Sequence, residues 1–139
     1  MIESTVSSFW AFYLYLIMLL IQWAIATVSK AKLPTAVPGK IDDELSHDSF
    51  AFRAHRTFQN SLENSVLFVG AVILAFALGM NSWLFTLCMW IYVLARTGHM
   101  ALYYLIATEK NPSPRTYFFL ISLLANILML ALICIRMFV

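Results

Sequence analysis

Charge is what this chain has least of. Asp, Glu, Lys and Arg together make up 12% of its 139 residues, against 62% hydrophobic. The stretches outside the apolar runs at both ends are short, so no tail that could address nucleic acid is expected. Cysteine is scarce too: Cys88 and Cys134 lie isolated inside apolar runs, with no CxxC spacing and no neighbouring His pair. Both are read as small buried hydrophobes, which sets aside a disulfide framework or a thiol metal site. No metal-ligand, P-loop or dinucleotide pattern is present, and no internal repeat or low-complexity tract. The start, Met1-Ile2-Glu3, lacks a basic n-region. The first apolar run also exceeds the roughly 7–15 residues of a signal peptide, so Ala24-Ile25-Ala26 is not expected to be a cleavage site.

What the chain does have is length in its apolar runs. They are long enough to cross about 30 Å of hydrocarbon as helices. The spans are placed at roughly Ser7–Ser29, Leu62–Leu78 with a helical extension from about Ser49, Trp83–Ile106 and Tyr117–Phe138. The expected fold is therefore an all-α membrane protein, a four-transmembrane-helix bundle in one domain over 1–139. Nothing is left over for a separate soluble active site, so chemistry must sit among the helices or at their ends.

The few charges are unevenly distributed. Lys30, Lys32, Lys40, Arg53 and Arg56 lie between spans one and two, Lys110 and Arg115 between spans three and four, and Gly79–Ser82 carries none. The positive-inside rule then puts the first and third loops in the cytosol and both termini across the membrane. Trp10 and Trp83 fall at the outer interface, with Tyr103, Tyr104 and Tyr117 near the inner one. In the first loop Pro34, Pro38 and Gly39 predict a turn. The acidic run Asp42-Asp43-Glu44 reads as a solvated face, or as a salt-bridge partner for a basic residue of the third loop.

Polar residues inside such spans demand partners, ligand or water. On span two Arg53, Arg56, Asn60 and Glu63 fall within about 80° of helical arc and converge on one face. On span three Arg96, His99 and Tyr103 share a face at spacings of three and four, at matching depth. A snorkelling Arg96 and a satisfied interfacial His99 would explain one polar face, but not two of the same depth and side. The third group is Pro112-Ser113-Pro114-Arg115-Thr116, where proline ahead of a helix leaves Arg115 and Thr116 beside unpaired backbone N–H groups and makes an anion site. The matching ligand is small, polyanionic and zwitterionic: arginines take its carboxylates, Glu63 its ammonium. An apolar bundle beside that site suits joining a water-soluble thiol to a lipophilic electrophile.

These three motifs, in this order and within a four-span frame, resemble the membrane-associated proteins in eicosanoid and glutathione metabolism over most of the chain. The branch they are most similar to holds microsomal glutathione transferase and microsomal prostaglandin E synthase. The resemblance implies a homotrimer that binds glutathione as co-substrate between subunits on the cytosolic side. It also implies transferase or peroxidase chemistry toward lipophilic electrophiles. Arg56, Asn60, Glu63, His99, Tyr103 and Arg115 match positions that contact glutathione in the family, Arg53 and Arg96 match structural or ligand-facing positions, and Thr116 stands where a serine often occurs. Arg115 matches the residue assigned to thiolate stabilisation and is the catalytic candidate. Gln59 replaces an arginine and Phe119 a tyrosine of the prostaglandin synthase branch, so prostaglandin synthesis is not supported. The stretch between Tyr103 and Arg115 is also somewhat longer than in those relatives.

Two other classes compete: a non-enzymatic lipid-binding protein of the same fold, and a small multidrug transporter. The transporter is expected to carry an acidic residue in its first span, where Gln22 is the only strongly polar side chain in the core of this one. A bacterial inner membrane or an endoplasmic reticulum membrane both suit the chain.

Overall fold

A computed structural model describes residues 2–138, with side chains from Thr5 onward. Four helices make up the chain: α1 (Ile2–Ala31), α2 (Phe50–Ala77), α3 (Trp83–Leu105) and α4 (Pro114–Phe138). Three of them, α1, α2 and α4, are long and apolar enough to cross a membrane. The fourth, α3, is long enough but has its hydropathy lowered by Arg96 and His99 near its C-terminal end. The architecture is the four-helix membrane bundle the apolar runs predict. Two starts move: α1 begins at Ile2 rather than Ser7, and α4 at Pro114 rather than Tyr117, which brings Arg115 and Thr116 into its first turn.

Local chemistry accounts for the ends. Ser49 caps α2, its hydroxyl accepting from the Phe52 N–H at 3.5 Å, and Ser82 caps α3 through the Phe85 N–H at 3.4 Å. At the close of α2, Gly79 adopts φ +60°. Its N–H bonds Phe76 O while Met80 N–H bonds Ala75 O, a Schellman termination that only a residue free of Cβ strain makes cheaply. The Pro38-Gly39 turn is also present, with Gly39 at φ +78° and Lys40 N–H on Val37 O.

Helices α2 and α3 occupy the short diagonal of the bundle. Each packs on α4 and on α1, whereas α1 and α4 do not meet. A buried aromatic trio holds the centre: Phe68 and Tyr92 stack at 4.1 Å between centroids, and Tyr15 meets Phe68 edge-on at 4.7 Å. Their hydroxyls are satisfied on backbone that tertiary packing brings within reach, Tyr15 donating to Ser61 O and Tyr92 to Asn64 O, each at 3.2 Å. Such bonds are worth making because hydrocarbon offers a buried hydroxyl no alternative. Between α3 and α4 the approach is close at Gly98, where an added Cβ would lie 2.5 Å from a ring carbon of Phe118.

The two cysteines part company. Cys88 is buried as expected, but Cys134 is exposed. Ile133 takes the inward position on α4, and a residue one step along a helix points about 100° away. Its outer-face neighbours, including Leu124, Ile127 and Leu128, form an apolar lipid-facing surface.

Candidate functional site

The alternation of helices gathers the loop after α1 (residues 32–49), the start of α2, the end of α3 and the start of α4 at one end of the bundle. A cleft of ≈ 590 Å³ opens there. Its walls are Arg56 and Asn60 from α2, His99 and Tyr103 from α3, Lys110, Asn111 and Ser113 from the connection, and Arg115, Thr116 and Phe119 from α4. That is the size of a small-molecule site, and no carboxylate lines it.

Arg115 occupies its position through the helix start. Pro114, which has no N–H to lose, opens the first turn. The Thr116 hydroxyl accepts the Ser113 N–H at 3.1 Å, and the Thr116 N–H bonds Ser113 O at 2.9 Å, so each residue secures the other. Arg115 Nε then donates to the Ser113 hydroxyl at 3.3 Å and Nη2 to Thr108 O at 3.0 Å. Its guanidinium carbon lies 4.0 Å from the centroid of the Tyr103 ring. The remaining donor, Nη1, is buried without a partner, and so is Nδ1 of His99 on the neighbouring wall. Both side chains line the cleft, and buried polar atoms of this kind call for a partner.

Behind the cleft lies Arg96, fully buried. Its Nη2 donates to Asn60 Oδ1 at 2.8 Å and to the Ser61 hydroxyl at 3.0 Å. With that oxygen engaged, Asn60 has its NH₂ donors left for the cleft it lines. Arg53 is committed to the loop: Nη1 donates to the carbonyls of His47 at 2.6 Å and Asp48 at 3.0 Å, and Nη2 to Tyr104 O at 3.4 Å. Arg56 is exposed at the mouth, donating to Gln59 Oε1 at 3.0 Å.

Of the nine residues singled out from the sequence, the cleft thus gathers Arg56, Asn60, His99, Tyr103, Arg115 and Thr116. Arg53 and Arg96 hold the loop and Asn60, and Glu63, at the far edge of the stripe, is exposed. Sequence reasoning passed over the loop residues. His47 reaches Glu109 with Nδ1 at 2.7 Å and Tyr103 Oη with Nε2 at 3.1 Å. The two loops are therefore joined, but with the acid in the third loop and the partner in the first. The acidic run stays local instead, Asp43 pairing with Lys40 at 3.2 Å and Asp42 accepting from Thr35. The bond from the His47 ring, then that from its backbone N–H, holds the Glu109 carboxyl below the usual carboxylate range. Among the described residues no group of three His, Cys, Asp or Glu side chains gathers to hold a metal ion.

A buried arginine at a helix start, roofed by a tyrosine, thus gives one end of a membrane bundle a polar cleft of small-molecule size. The MAPEG family model matches residues 7–135, and the chain belongs to that family. Membership makes it a membrane protein of glutathione and eicosanoid metabolism. No curated protein and no solved structure matches it.

Proposed function

We propose that this protein is a membrane-bound glutathione transferase or peroxidase, activating glutathione as thiolate for attack on lipophilic electrophiles or hydroperoxides. The observation that carries this reading is the pair of orphaned buried atoms, Arg115 Nη1 and His99 Nδ1, on the wall of a carboxylate-free cleft. Arg56 and Lys110 at the same cleft suit the two carboxylates of glutathione, and the Asn60 NH₂ suits a peptide carbonyl. The helix start and the Arg115 guanidinium suit the sulfur.

The energetic demand is modest. A free thiol with pKa about 8.5 is only ~3% thiolate at pH 7. Lowering that value by two units takes about 2.7 kcal/mol of preferential stabilisation of the anion. A guanidinium donor beside a helix N-terminus is of that order. The electrophile arrives from the lipid, since the outer surfaces of α1 and α4 are apolar.

Glu63 and Arg56 are exposed on α2, away from the chain's own core. In the proposed homotrimer they face a neighbouring subunit, and Glu63 takes the glutathione ammonium there. The cleft opens to the cytosol by the charge of its loops.

Calorimetry with glutathione on detergent-purified protein, alongside ultraviolet absorbance of the thiolate near neutral pH, tests the reading. Saturable binding with a thiolate signal supports it. Folded, trimeric protein that binds no glutathione at millimolar concentration overturns it in favour of a lipid-binding role.

A further inference from the structure

His47 lies in the connection between α1 and α2, yet both of its ring nitrogens are engaged. Nδ1 is 2.7 Å from Glu109 Oε1, and the same oxygen accepts the His47 backbone N–H at 3.2 Å. Nε2 is 3.1 Å from Tyr103 Oη. The imidazole stacks on the Tyr103 ring at 5.8 Å and 29°, and Arg53 fixes the His47 carbonyl at 2.6 Å. A chain that merely connected two helices would not need its histidine held from three elements.

Proton bookkeeping follows from the partners. An ionised carboxylate only accepts, so Nδ1 of His47 is the donor to Glu109. In the neutral ring Nε2 is then an acceptor, and the Tyr103 hydroxyl donates to it. In the protonated ring Nε2–H is a donor, and the Tyr103 proton must point elsewhere. Tyr103 lines the cleft, so the cleft is where that proton can go. Arg115 lies over the same ring, and the His99 ring is 5.5 Å from it.

The geometry points to His47, held by Glu109, as a positioning residue that sets the direction of the Tyr103 hydroxyl proton: toward His47 when the imidazole is neutral, into the cleft when it is protonated. What the hydroxyl meets there rests on the glutathione reading. The bound thiolate gains a second donor beside Arg115 in the protonated state and relies on Arg115 in the neutral state. The charged and titratable groups around His47 are Glu109 from the loop after α3, Arg53 from α2 on its carbonyl, and, across the Tyr103 ring, His99 from α3 and Arg115 from α4.

Nitrogen-15 spectra of histidine-labelled protein in detergent read the tautomer with no ligand present. The neutral His47 signal, assigned by its loss in His47→Gln, is expected as the Nδ1–H form. Glu109→Ala should raise the share of the Nε2–H form, and a native ring carrying its proton on Nε2 overturns the proposal. With glutathione bound, the pH midpoint of the thiolate absorbance is expected to rise in Tyr103→Phe, which keeps the stacked ring and removes the second donor. His47→Gln should move that midpoint in the native background and leave it unmoved in the Tyr103→Phe background, because the imidazole acts only through the hydroxyl. A His47→Gln shift of equal size in both backgrounds overturns the proposal. Failure to bind glutathione with the Nδ1–H tautomer intact overturns the glutathione reading and supports the tyrosine orientation.

Discussion

The Arg115 guanidinium carbon lies over the Tyr103 ring, 4.0 Å from its centroid, and this contact joins the start of α4 to the end of α3. It fixes a flexible side chain in one pose with a donor to spare. Placement of that kind, rather than charge alone, gives an arginine its effect on a bound anion.

Arg115→Ala is expected to lower turnover at neutral pH by roughly 25-fold, the fall in thiolate fraction at pH 7 when a thiol pKa rises by two units to about 8.5, while glutathione affinity falls less. Steady-state kinetics with calorimetric Kd separates the two. Equal losses in both would sink the thiolate role.

Arg96 is buried with Nε and Nη1 unpartnered, and its known work is to hold Asn60 and Ser61. Arg96→Met should weaken glutathione binding about tenfold by freeing the Asn60 amide. Thermal stability should hold or rise, because the desolvation of an unpaired guanidinium is relieved. Asn60→Ala should then cost less affinity in the Arg96→Met background than in the native protein. Additive losses would show that the two residues act separately.

Gly98 faces the Phe118 ring with no room for a Cβ. Gly98→Ala is expected to cost about 1 kcal/mol, since a half-buried ring can swing aside, and Gly98→Leu about 3 kcal/mol. Pairing Gly98→Ala with Phe118→Leu should recover part of the loss in a thermal melt. No recovery would place the strain elsewhere on α3.

Glu109 is titrated out of its bonds to His47 by acid. Its folded value is lowered from the ordinary 4.5, so its contribution to stability is present above that value and lost as pH falls through the lowered one. The gap in melting temperature between native protein and Glu109→Gln should therefore be present near neutrality and close below about pH 4. A gap that widens in acid would contradict the bond.

Hydrophobic length found all four helices, and turn chemistry found the Pro38-Gly39 turn, because each rests on local physics. The helical wheel found Arg56, Asn60, His99 and Tyr103 but could not divide the stripe it drew. Arg53 at one edge is drawn into the loop and Glu63 at the other is exposed, a distinction that depends on which neighbour lies alongside. Arg96 and His99 differ by only about 60° of arc, yet one turns back to α2 and the other opens to the cleft. His47 and Glu109 had no periodicity to betray them. They meet across 62 residues of chain, and only the packed bundle brings them together.

The Gly79 turn divides the molecule into two hairpins, and the cleft takes Arg56 and Asn60 from the first and His99, Tyr103 and Arg115 from the second. A chain halfway through insertion into the bilayer thus has an α1–α2 hairpin with no cleft at all. The walls of the cleft meet only when the second hairpin docks and His47 finds Glu109, so the basic residues of the first hairpin have no cleft to line until the second has arrived.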